Sequence, residues 1–207
     1  MKNPWKKILF KLTTAAAEDE VKELIENNGL FRNWRPYGGY SANFNTFHNQ
    51  QQNQVAALIE KPINSIDAIL LKECKLKHID PKSTQAPKTM QQAVEVFFGI
   101  KKGDFSEVGQ KRRRELSNNI RIIAEGSKEQ PNIIIVDNGE GQLPRDFPDT
   151  FLSLHRENKI DITFVQGKYN MGGTGVMRFC GRYHYQLIVS RRTPELLTNG
   201  QRDEWGF

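Results

Sequence analysis

The chain has 207 residues, 37% hydrophobic and 26% charged, with a formal net charge of +6. This composition excludes a disordered polyelectrolyte and gives enough chain for one domain with a real core. No apolar run reaches the ~20 residues of a membrane span, so no membrane partner is expected, and the charge is only a mild pull toward polyanions.

The start, MKNPWKKILFKLTT, lacks the long apolar core and the cleavage site of a secretory leader. Residues Ala15–Asn28 predict a helix with Gly29 as its C-cap. The stretch that follows, with Trp34, Tyr37, Tyr40, Phe44 and Phe47, predicts an irregular strap that packs a local core or covers a ligand or a partner copy. From Gln52 to Lys72 a second helix is expected. Val55, Ile59, Ile63, Ile66 and Leu70 recur at helical spacing and read as its buried stripe, while Pro62 should kink it or remove one backbone hydrogen bond. Met90–Ile100 and Arg112–Glu125 predict helices. Asn132–Val136 predicts a short apolar strand, Phe147–His155 a helix, and Ile162–Val165 and Tyr183–Ser190 two further strands. Helices mixed with strands outside a βαβ rhythm predict an α+β fold, with helices on one face of a mixed β-sheet. Cys74 and Cys180 are isolated and offer no disulfide or metal framework, so a reducing cytoplasm is the expected setting. His48, His78, His155 and His184 show no ligand spacing. Lys111, Arg112, Arg113 and Arg114 read as a solvated helix face rather than a nucleic-acid surface, because no aromatic residues interleave them.

Three motifs carry chemistry. In Glu60-Lys-Pro-Ile-Asn64-Ser-Ile-Asp67-Ala68 the spacing at ~100° per residue puts Glu60, Asn64 and Asp67 in one narrow sector of a helix. A carboxylate there can orient a water and accept its proton. An amide oxygen suits Mg²⁺, a hard ion that prefers oxygen ligands. The plainer alternative is a helix with ordinary surface polars. In Asp137-Asn-Gly139-Glu-Gly141 an aspartate at a strand end can accept from an exocyclic amine, and the glycines allow close backbone approach; the alternative is a simple turn. In Gly167-Lys-Tyr-Asn170-Met-Gly172-Gly173-Thr174-Gly175 successive backbone N–H groups can cradle an anion, helped by any helix that starts after Gly175. The alternative is a flexible loop, and the pattern is not a P-loop.

The order and contexts of the three resemble the GHKL ATPases, named for gyrase, the heat-shock chaperone of that class, histidine kinases and MutL. Glu60, Asn64, Asp67 and Ala68 match the N-box of that family, E-x-x-x-N-x-x-D-A. Asp137, Gly139 and Gly141 match D-x-G-x-G, and Gly172, Gly173 and Gly175 match the glycine-rich lid box. The resemblance spans about residues 50–190. It implies a Bergerat-type α/β sandwich that binds ATP with Mg²⁺ and hydrolyses it. Glu60 would be the general base and Asn64 the Mg²⁺ ligand. Asp137 would hold the adenine amine, and Asp67 and Ala68 would support the nucleotide. Gly172, Gly173, Thr174 and Gly175 would wrap the phosphates at the end of a lid from about Gln142, with Lys168 and Asn170 as further contacts.

The resemblance implies a helix and strap over residues 1–49 and an ATP-binding domain over 50–207. Because Asn64 and Asp137 are far apart for the family, about residues 73–130 read as an insertion, as in some bacterial members. Pro62 departs from the N-box. No strand bearing the Thr of the family's later box stands out, so the chain is expected to be a fragment that stops before that strand. ATP-driven lid closure and a homodimer, through N-terminal elements or a missing C-terminal part, are further expectations. Two other functions compete: a nucleotide-gated interaction module with little turnover, and a histidine kinase catalytic domain. The kinase needs no water-activating acid at Glu60, and no His here has a phosphoacceptor pattern.

Overall fold

The computed structural model describes residues 4–41, 43, 52–153, 159–167 and 172–207. Two helices open the chain, α1 over Pro4–Thr14 and α2 over Glu18–Asn27. Gly29 follows α2 in the left-handed region at φ 63°, the termination expected of it. The long helix α3 runs Gln54–Leu76. Asn53 caps it, its side-chain oxygen accepting from the N–H groups of Val55 and Ala56. Pro62 lies inside α3 and the helix continues through it, at the cost of one backbone donor.

The core forms where α3 meets the shorter helix α4, Met90–Phe98. Leu70, Leu71 and Cys74 of α3 pack with Ala86, Ala93 and Phe97, and with Ile162, Phe164 and Val165 from the far side of the chain. The Phe97 and Phe164 rings meet edge to face at 6.1 Å. The segment read as an insertion therefore supplies part of the main core. Helix α5, Gln110–Ser117, buries nothing, as expected of the Lys111–Arg114 run.

The structure corrects several sequence expectations. Of the predicted stripe Leu70 is buried and Ile63 half-buried, but Val55, Ile59 and Ile66 are exposed; the buried residues of α3 are Ala57, Ser65, Asp67, Ile69, Leu70, Leu71 and Cys74. The second half of the helix predicted at Arg112–Glu125 is strand β1, Ile120–Gly126, antiparallel to β2, Pro131–Asp137. Its run Ile-Arg-Ile-Ile fits either structure locally, and pairing with β2 decides it. Residues 162–165 are not a strand but a turn-rich segment whose apolar side chains fill the core. Of Tyr183–Ser190 only its end is paired: β3, Ser190–Arg191, joins β4, Trp205–Gly206. The region from Phe147 takes a 3-10 form over Pro144–Asp149. The chain is thus α+β, and among the described residues the strands form two separate antiparallel pairs rather than one mixed sheet.

The strap is partly visible. Trp34 is exposed and packs edge-on against Phe31 and Tyr185. Tyr37 donates its hydroxyl to the Phe151 carbonyl, and burial pushes its pKa up to about 12. Tyr40 is largely exposed. Phe44, Phe47, His48 and His155 lie outside the described residues. No helix among the described residues is long and apolar enough to cross a membrane.

Candidate functional site

The site grows from α3 and the turn that follows β2. Chain reversal after Asp137 is made by Asp137 itself: Oδ1 accepts from the Gly139 N–H at 2.9 Å. The other oxygen accepts from Ser65 Oγ at 2.9 Å, which ties the strand end to α3. Gly139 then passes so close to the helix that an added Cβ would stand 2.5 Å from Ala68 Cβ. Glycine here and alanine there are matched by contact, since any larger pair would force helix and turn apart. The Glu140 N–H donates to the Ala68 carbonyl at 3.0 Å, completing the seam.

Gly141, at φ 62°, lies against the backbone of Arg191, where a Cβ has no room. Buried Glu140 accepts from Arg192 at 3.0 Å and pairs with Lys75. Thr193 is buried; its N–H donates to the Glu140 carbonyl at 2.9 Å and its hydroxyl to the Gly139 carbonyl at 2.7 Å. Sequence reasoning missed Ser65, Thr193 and Arg192. Ser65, beside Asn64, was the one with a local signal; the others act across more than fifty positions.

Asp67 is fully buried and joins α3 to the approach of the glycine-rich segment. Its two oxygens accept from the N–H groups of Gln166 at 3.0 Å and Gly167 at 2.8 Å, and Lys159 Nζ stands 3.9 Å away. A Cβ on Gly167 would come within 2.6 Å of Asn64 Oδ1, so the amide, half-buried, abuts the same loop. Residues Gly172–Gly175 form one helical turn packed on α3, with Thr174 and Gly175 buried. It is followed by a 3-10 turn at Met177–Phe179 rather than by a long helix, so no extended helix dipole is aimed at the loop. Lys168 and Asn170 lie outside the described residues. Within the segment expected to act as a lid, Leu143, Phe147, Ile162, Phe164 and Val165 are buried, which makes much of it core.

A broad open concavity extends from α1 and α2 across one face of α3 to β2 and residues 185–195. Lys61, Asn64, Ser65, Ala68, Asp137 and Gly139 line it. Glu60 is half-buried one step round the helix and is not among its lining residues. Among the described residues no three His, Cys, Asp or Glu side chains form a metal-binding cluster. Asn64 alone fits Mg²⁺ only as one oxygen ligand of an ion carried mainly by phosphates and water, the ordinary habit of Mg²⁺ at nucleotides. Asp67 is committed to the Gln166 and Gly167 N–H groups. The concavity therefore presents the exposed Asp137 carboxylate, the Asn64 amide and the Gly139 backbone.

Comparison of the chain with protein-family models, with curated proteins and with solved structures finds no match.

Proposed function

We propose that the chain binds ATP with Mg²⁺ through a Bergerat-type site of the GHKL kind and hydrolyses it. The observation that supports this most is convergence: three motifs far apart in sequence meet on one helix. Ala68 is against Gly139, Ser65 is bonded to Asp137, Asn64 and Asp67 are against Gly167, and the Gly172–Gly175 turn is packed on α3. Two unrelated glycine-rich turns have no reason to meet the helix that carries the first motif.

In this reading Asp137 accepts the adenine amine with lone pairs left over from Ser65 and Gly139, and Thr193 backs the turn through its bonds to the Gly139 and Glu140 carbonyls. Asn64 donates an oxygen to Mg²⁺, and the glycine turn holds the phosphates. Water attacks the terminal phosphorus as its bond to the bridging oxygen breaks; the electron pair leaves with ADP and the water proton passes to Glu60. One observation favours a second reading, a nucleotide-gated module with little turnover: Glu60 is absent from the cleft lining.

Phosphate release by the wild type and by Glu60→Ala, with ATP affinity measured in parallel, separates the two. Hydrolysis predicts an unchanged affinity and turnover lowered ~10²–10⁴-fold in the variant. A wild type that binds ATP without releasing phosphate selects the module. A variant that hydrolyses at the wild-type rate removes Glu60 as the base.

A further inference from the structure

Strand β1 is an open edge. Among the described residues β1 and β2 form a sheet of two strands without a third neighbour. Every residue of β1 after Ile120 is exposed, with Ile122 at 57% and Ile123 at 38%. A long apolar edge of this kind is a template for another strand, and a sheet of only two strands is marginal until it gains more.

The register fixes which backbone groups point outward. The Asn138 N–H donates to the Asn119 carbonyl at 2.9 Å, so these two residues bond to each other across the hairpin. Pairing then runs antiparallel from Ile120 opposite Asp137 to Gly126 opposite Pro131. Alternate residues Arg121, Ile123 and Glu125 therefore turn their N–H and C=O groups to β2, and Ile120, Ile122 and Ala124 turn theirs away from it.

The side chains of this edge are complementary to themselves. Arg121 and Glu125 are both exposed, and among the described residues neither is held in an ion pair. They have opposite signs and stand two positions either side of Ile123. A second β1 laid antiparallel and centred on Ile123 sets each Arg121 opposite a Glu125 and Ile123 opposite itself. The same register brings Ile122 opposite Ala124, both with outward backbone groups ready to bond. Centring on Arg121 or Glu125 would oppose like charges, and centring on Ile122 or Ala124 would leave both charges without a counter-ion.

We propose that the chain forms a two-fold homodimer by antiparallel pairing of β1 with β1 of a second copy, making one four-stranded sheet in the order β2, β1, β1, β2. This edge is distinct from the N-terminal elements expected to dimerise, and the pairing does not depend on the ATP reading.

Sedimentation equilibrium of the full chain tests this, using wild type, Arg121→Glu, Glu125→Arg and the double reversal. The wild type should dimerise reversibly. Each single reversal opposes like charges at both ends of the pairing and should weaken the dimer ~10–100-fold, and the double reversal should restore it. Ile123 lies on the two-fold axis at a position where facing Cα atoms stand about 4.5 Å apart, within reach of a disulfide. Ile123→Cys should therefore cross-link to itself under mild oxidation, and the wild type, with Cys74 buried and Cys180 half-buried, should not. A wild type that stays monomeric, a dimer indifferent to the single reversals, a loss that the double reversal does not repair, or an Ile123→Cys chain that forms no cross-link overturns the proposal.

Discussion

A carboxylate without solvent needs donors on its oxygens, and Asp67 has the Gln166 and Gly167 N–H groups with Lys159 nearby. Asp67→Ala leaves two backbone donors and a cation without that acceptor, and should cost ~2–4 kcal/mol by urea unfolding. A loss within ~0.5 kcal/mol, the range of ordinary surface changes, would contradict the anchoring role. Lys61 makes a second prediction of opposite sign. Its pKa falls from 10.5 to about 8 on folding. Between those values the unfolded chain holds more protons at this position than the folded one, so stability rises with pH across that window and the lysine's penalty is constant below it. Lys61→Met removes the penalty. Without nucleotide, the variant should therefore melt higher than wild type at pH 7, and the gap should close toward pH 10. Melting curves that keep a constant gap over this range contradict the burial of the amine. Spacing along one helix picked out Asn64 and Asp67, and the motif resemblance picked out Ala68, Asp137, Gly139 and Gly141, which the structure brings together around α3, whereas Glu60 is not among the residues lining the concavity. Thr193 and Arg192 were not picked out, because their partners Gly139 and Glu140 lie more than fifty positions away and no periodicity links them.

Elements were read well where they are set by local geometry. Helix α2 with Gly29, helix α4 ending at Gly99 in the left-handed region, and strand β2 follow from caps and apolar runs. The stripe on α3 held at Leu70 and failed at Val55, Ile59 and Ile66, because periodicity identifies an apolar face and not what covers it, while the polar Asp67 is enclosed by the chain around residues 159–167. Strand β1 failed because Ile and Arg suit helix and strand alike until a partner is present. A tertiary clasp of the same long-range kind holds α2 to the segment after the glycine turn. The Glu18 carboxylate accepts from the N–H groups of Arg182 at 2.7 Å and Tyr183 at 3.1 Å, and Asp19 accepts from the Tyr183 hydroxyl. Gly181, at φ 55°, leaves room for that carboxylate, which a Cβ would meet at 2.3 Å. Glu18→Ala should free α2 before the core: amides of residues 18–27 should exchange faster by hydrogen exchange, with those of Gln54–Leu76 unaffected. Equal acceleration in both helices would mean that the clasp is part of the global fold.

For the molecule as a whole, the α+β class was readable from the mixture of helix and strand patterns, and the arrangement of the strands was not. Sheet order depends on pairings between distant segments, and residues 185–189 line the cleft without entering either sheet. What unifies the molecule is α3, which carries the core on one side and the cleft on the other. The proposed function requires that this concavity accept adenine at Asp137. The most direct measurement is calorimetric titration of the wild type and of Asp137→Asn with ATP·Mg²⁺ and GTP·Mg²⁺. The wild type should prefer ATP, and Asp137→Asn should lose ~10-fold or more of that affinity, because the amide can present a donor where the adenine amine needs an acceptor. Equal affinity for the two nucleotides, left unchanged by the substitution, or no binding of either, would contradict the proposed function.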